Sequence, residues 1–191
     1  MNRLARLLVA AGLFAAGPVL AAPKTIELKG QTNWISEAPV EKIVGTADGS
    51  GTLTADLDDL STLKGTLVFP VASMKSGNEQ RDDHLKGGDW LEADKHPDIR
   101  FVVDSVKVVS PPSGDDVKEA QVEVTGQFTL HGVTTPLTAP ATLKWKDDKV
   151  KIDTAFVVKL ADYKVAGKQG VVGSKVGETI DVKVSLRGIA K

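Results

Sequence analysis

From residue 50 onward, apolar and polar residues alternate with a period of two. Val122, Val124, Gly126, Phe128 and Leu130 interleave with Glu123, Thr125, Gln127 and Thr129, and Ile180, Val182, Val184 and Leu186 interleave with Asp181, Lys183, Ser185 and Arg187. Val150, Ile152, Phe156 and Val158 repeat the pattern, broken at Thr154, Ala155 and Val157, and Leu53, Ala55 and Leu57 carry it earlier. Successive side chains of a strand point to opposite faces, so each run has one face for a core and one for water, as in antiparallel sheets. The runs are rich in Val and Thr, which suit a pleated surface.

Further strands are expected near Thr25–Gln31, Val40–Gly45, Leu63–Val71, Ile99–Val109 and Pro136–Trp145. Turns are expected at Asp48-Gly49-Ser50-Gly51, at Pro111-Pro112-Ser113-Gly114-Asp115 and at Asp147-Asp148. That makes eight or nine strands at even spacing. The absence of any long amphipathic pattern argues against βαβ units. Such a sheet hides its inner face by closing into a barrel or by stacking as a sandwich. Phe69, Phe101, Phe128 and Phe156 each sit on the apolar phase of a different strand, among small inward residues, which favours a barrel. Periodicity alone allows two interiors: a dry core filled by the four rings, or a narrow apolar tunnel lined by them.

The first 21 residues read as a secretory signal. Arg3 and Arg6 charge the start, Leu7–Ala16 is apolar but short for a bilayer, and Val19-Leu20-Ala21 offers a cleavage site after Ala21. This predicts one domain over 22–191, exported to the periplasm and not stably inserted in the membrane. Removing two arginines leaves 22 basic against 25 acidic residues, about −3, which disfavours a nucleic-acid surface. The chain has no Cys, so stability rests on a core rather than disulfides, and thiol catalysis and thiolate metal sites are excluded.

Residues 76–91 break the period. Asn78, Arg81, Asp82, Asp83 and His84 crowd into one or two helical turns with almost no apolar partner. Asn78 is a good N-cap and Glu79 suits the first turn; Leu85 can dock the helix, Gly87-Gly88 stops it, and Trp90-Leu91 forms an apolar plug before Pro97. Arg81, Asp82 and His84 admit three roles: ties from helix to rim, donors for the polar head of a ligand, or an acid–base or metal pair. Arg suits oxyanions such as a phosphate or phenolate. Histidine occurs at 84, 96 and 131 without zinc-type spacing, and no G-x-S-x-G elbow is present. His131 reads as a turn residue. No catalytic residue and no metal site are therefore expected.

Ser76-Gly77-Asn78-Glu79-Gln80-Arg81-Asp82-Asp83-His84-Leu85, followed by Trp90-Leu91 and Lys95-His96-Pro97, resembles the signature of the YceI-like family. Gly132-Val133-Thr134-Thr135-Pro136 matches its hairpin, with Pro136 placed at the first position of the next strand, and Phe156–Tyr163 and Gly173–Glu178 also fit. The likeness covers roughly 50–188. Gln31–Val40 departs from it, with Trp34, no His, and Pro39 interrupting the strand. The resemblance implies an all-β fold, an extended eight-stranded antiparallel lipocalin-like β-barrel with one short polar helix. It further implies a non-enzymatic carrier of a long isoprenoid or quinone-like amphiphilic lipid. Phe69, Phe101, Val103, Phe128, Leu130 and Phe156 would contact the tail, and Asn78, Arg81, Asp82 and His84 would form the polar mouth. A homodimer is an open alternative. A stress-response interaction module with a filled core, or a hydrolase using His84 and Asp82, are the competing functions.

Overall fold

A computed structural model describes residues 23–191, so the expected signal segment lies outside the described residues. Eight strands run in order among the described residues: β1 (Lys24–Glu37), β2 (Lys42–Ala55), β3 (Lys64–Pro70), β4 (Asp98–Ser113), β5 (Lys118–Leu130), β6 (Val133–Lys146), β7 (Lys149–Lys159) and β8 (Thr179–Ala190). Each pairs antiparallel with the next, and β1 pairs with β8 from Ile26↔Ala190 to Ser36↔Ile180, closing the barrel. Among the described residues the single α-helix, α1 (Glu79–Lys86), lies in the β3–β4 connection. No helix among the described residues is long and apolar enough to cross a membrane.

The sequence suggests two strands at Val40–Gly45 and Leu53–Leu57 with a turn at Asp48–Gly51. The structure joins them into β2, paired with β1 from Glu37↔Lys42 to Lys24↔Ala55. The glycines serve close packing instead of a turn. A Cβ on Gly49 would lie 2.6 Å from the Phe69 ring, and one on Gly51 would lie 2.5 Å from the Thr66 carbonyl oxygen. Pro39 falls in the β1–β2 connection and does not interrupt β1. The expected turn at Pro111–Asp115 shifts, because β4 continues through both prolines to Ser113 with register shifts along its β5 ladder.

The two ends of the barrel differ. One is solid: Ile26, Leu28, Leu53, Leu60, Leu143 and Leu186 are almost wholly buried, each contributing about 1.5–3 kcal/mol by leaving water. At the other end the ladders come apart in two places. β2 pairs with β3 only over Ser50–Thr54, and the gap beside Thr46 is covered by Lys75, whose N–H and carbonyl both bond Thr46. β6 pairs with β7 only from Ala141↔Thr154 to Lys146↔Lys149. The open side of β6 explains Pro136, which sits inside the strand opposite Gln127 and not at its first position. A proline has no N–H to donate and is tolerated where no β7 partner waits. Thr154, the residue that breaks the apolar alternation, donates its hydroxyl to the Pro140 carbonyl at 2.7 Å where the ladder ends.

Candidate functional site

A cavity of about 690 Å³ occupies the splayed end. Its walls come from the inward positions of the strands: Trp34 on β1, Ile43 and Ala47 on β2, Phe69 on β3, Phe128 and Leu130 on β5, Phe156 and Val158 on β7, Val182 and Val184 on β8. Met74, Leu91, Leu160 and Val165 complete the apolar lining from the connections. Phe128 meets Phe156 edge to face at 5.6 Å and 72°, and Tyr163 at 5.6 Å and 85°. Phe69, Phe128 and Phe156 form a floor. Beneath it lies a void of about 60 Å³, bounded by the undersides of Phe69, Phe128 and Phe156 and by Phe101, Val103, Leu143 and Ile152. Dry core and apolar chamber therefore coexist, stacked along the barrel axis.

Phe69, Phe128, Leu130 and Phe156 face the chamber, whereas Phe101 and Val103, expected beside them, do not. Phe101 lies over Gly126, where a Cβ would come within 2.7 Å of its ring, and Val103 packs in the solid end. Sequence phase places a residue inside a barrel but not at a depth along its axis.

The mouth is built by α1 and by residues 165–176. Asn78 caps the helix, its Oδ1 accepting the Arg81 N–H at 3.0 Å. Leu85 docks the helix on the apolar rim, and the chain turns at Gly87, whose N–H bonds the His84 carbonyl. Arg81 donates Nη1 to Glu41 at 2.6 Å, tying α1 to the β1–β2 connection, while its buried Nε has no partner. Asn78, Arg81 and His84 line the chamber mouth. Asp82, expected with them, turns away and accepts from the Ser76 N–H at 2.7 Å and hydroxyl at 2.6 Å. Partial burial works to raise its carboxyl, but the Ser76 bonds and the Lys86 and Arg81 charges outweigh it and hold the group below its ordinary value. The opposite lip touches α1's side twice. Trp90 lies on Gly167, where a Cβ would come within 2.6 Å of the indole, and Lys168 stands 3.9 Å from Asp89.

Several wall residues carried no signal in the sequence. Thr32 reads as a polar break in β1, yet it is buried in the chamber wall with a hydroxyl that finds no partner. Lys168, Val171, Lys175 and Val176 come from an aperiodic segment and enter the mouth only through its fold.

An eight-stranded antiparallel barrel, sealed at one end and opening at the other into an apolar chamber under a polar rim, defines a lipocalin-like architecture. The sequence profile of the YceI-like domain matches residues 25–187, and the chain belongs to that family. A UPF0312 protein of Pseudomonas fluorescens (strain SBW25) is 31% identical over 197 residues, covering 97% of this chain and 96% of the relative. A UPF0312 protein of Pseudomonas putida (strain W619) is 29% identical over 196 residues, covering 97% and 95%. Among solved structures, Burkholderia cenocepacia BcnA superposes with a TM-score of 0.69 at 20% identity, over 85% of this chain and 95% of its own. A polyisoprenoid binding domain from Saccharophagus degradans superposes with a TM-score of 0.68 at 14% identity, over 90% and 100%. At these identities the two structures share the fold.

Proposed function

We propose that the protein is a non-enzymatic carrier of a long apolar amphiphile, an isoprenoid or a quinone-like lipid, working in the periplasm after export. The observation that carries this reading is the 690 Å³ chamber, mainly apolar in its wall with its charged residues gathered at the mouth. Its size falls within the roughly 300–1,000 Å³ range of cavities that enclose a small molecule. A methylene-rich tail gains about 25 cal/mol for each Å² it removes from water, so the wall supplies affinity. Arg81, His84, Lys168 and Lys175 at the mouth, with the free Nε of Arg81, suit an oxygen-bearing head group. The structural likeness to a polyisoprenoid binding domain favours the same ligand class. Two hydroxyls face the chamber. Ser36 Oγ accepts the Gly177 N–H at 2.8 Å, and Thr32 Oγ1 has no partner, so neither is paired with a base, which favours binding without chemistry.

The test is native mass spectrometry of protein purified from its own periplasm, with organic extraction of whatever is released. The same spectrum reads monomer or homodimer. A stoichiometric isoprenoid or quinone-like lipid is the expected result. In parallel, geranylgeraniol should change the fluorescence of Trp34 and Trp90, which line the chamber, more than that of Trp145, which packs in the solid end. A clean protein mass together with no fluorescence response would overturn the carrier reading and favour an interaction module.

A further inference from the structure

Glu92, His96 and His131 converge beside the chamber, and none of the three lines it. One ligand atom from each lies within 4.8 Å of the others. Glu92 and His96 stand four apart on the turn that follows α1, where the amides of Lys95 and His96 both donate to the Glu92 carbonyl at 2.8 Å. That turn holds Glu92 at a φ of 45°, a left-handed conformation uncommon for a residue with a side chain. His131 is the first residue of the two-residue β5–β6 hairpin, at a φ of 50°. Gly132 follows, and a Cβ there would lie 2.5 Å from the His96 ring. The two imidazoles meet edge to face at 5.2 Å and 81°.

The hydrogen bonds of His131 point to an ion. Its Nδ1 lies 3.1 Å from the Tyr163 carbonyl oxygen, which only accepts, so Nδ1 carries a proton. Its Nε2 then faces Glu92 Oε2 at 3.0 Å. In the neutral ring that is a lone pair against a carboxylate, an arrangement that needs a cation between them: a second proton, or a metal. An imidazole whose Nδ1–H rests on a backbone carbonyl and whose Nε2 points at a carboxylate is oriented as metal-ligating histidines are. Lys95 holds the other carboxylate oxygen, Oε1, at 2.6 Å, which leaves Oε2 for the site.

We propose that Glu92, His96 and His131 bind a divalent transition-metal ion of the zinc class through two imidazoles and one carboxylate. Two nitrogens and one oxygen suit zinc, copper or nickel, and a hard oxygen-seeking ion would want more carboxylates. Ligand atoms about 2.0–2.1 Å from a tetrahedral ion stand about 3.4 Å apart, so atoms near the 4.8 Å bound close by about 1.4 Å, while His131 Nε2 and Glu92 Oε2, at 3.0 Å, part slightly. Three protein ligands leave a fourth tetrahedral position for a water molecule. Bound there, the ion joins the turn after α1, the β5–β6 hairpin and, through the Tyr163 carbonyl, the short helical turn at Leu160–Tyr163.

The experiment uses untagged protein stripped with a chelator and then titrated with Zn²⁺ calorimetrically and with Cu²⁺ under electron paramagnetic resonance. One ion per chain is expected, with splitting from two nitrogens on copper and a rise in melting temperature on zinc. His96→Gln tests the metal against a simple Glu92–His131 ion pair, because that pair does not need His96. The variant should bind zinc at least tenfold more weakly and lose the thermal response while keeping the circular dichroism of the parent. No uptake at micromolar zinc, or uptake unchanged in His96→Gln, would overturn the site. Neither readout depends on whether the chamber holds a lipid.

Discussion

At the scale of single residues, the chamber is shaped by where side chains are large and where they are missing. Gly49 gives up its Cβ so that the Phe69 ring can lie against β2. Gly49→Ala should therefore cost about 1–3 kcal/mol by overpacking, read as a lower urea midpoint with an unchanged slope. Phe128 is buried and stands between the chamber and the void beneath it. Phe128→Ala should lose about 3–5 kcal/mol of stability and join the two spaces, so that the variant that remains folded accepts a longer prenyl chain than the parent in a competition series. An unchanged chain-length preference would show that the floor does not set ligand length. Asp82 ties α1 to Ser76, whose N–H and hydroxyl both donate to its carboxylate. Its carboxyl is held below the ordinary value near 3.9, so its contribution is complete above that value and fades as pH falls through the lowered folded value. Asp82→Asn should flatten the stability profile on the acid side, below about pH 4, in denaturant titrations across pH.

At the scale of elements, two interruptions in the hydrogen-bond ladders make room for the site. Beyond Thr154 and Ala141, β7 and β6 no longer pair, while β7 still pairs with β8 as far as Lys159↔Thr179. Between Ala155 and Lys159, amides pointing toward β6 should exchange with deuterium much faster than those pointing toward β8, in a residue-resolved exchange experiment. Equal protection on both sides would mean the seam is closed in solution. The helix α1 fully buries no residue and is held by its capped ends, the half-buried Leu85, the Asp82–Ser76 bonds and the ion pair with Glu41. The Asn78 cap and the Gly87 stop are legible in the sequence because caps answer a local need, the orphan amides and carbonyls of a helix terminus. The seam was harder to see. Pro136, Pro140 and Thr154 mark it, but they read as irregularities until the register shows that they share one edge.

At the scale of the whole molecule, a solid end anchors a chamber that tolerates its own unpaired edges. A ligand that binds only the folded barrel should raise stability by about 2.7 kcal/mol at a free concentration of a hundred times its dissociation constant. A melting temperature that climbs with added lipid would show this, and a flat response would put the ligand outside the chamber. The lips of the mouth, Trp90 on Gly167 and Lys168 near Asp89, come from segments far apart in the chain, so their meeting depends on the closed barrel that holds both.

The period-two alternation determined the all-β class, because a pleated chain has two faces and only one of them can be wet. Local chemistry likewise determined the polar helix and its caps. Depth along the barrel axis was decided by tertiary structure alone. Phe69 and Phe101 share the same inward phase, yet one faces the chamber and the other the void beneath its floor, because strand stagger sets height and alternation does not. The same holds for Glu92, His96 and His131: a hairpin and a turn far apart in the chain become neighbours only when the barrel closes.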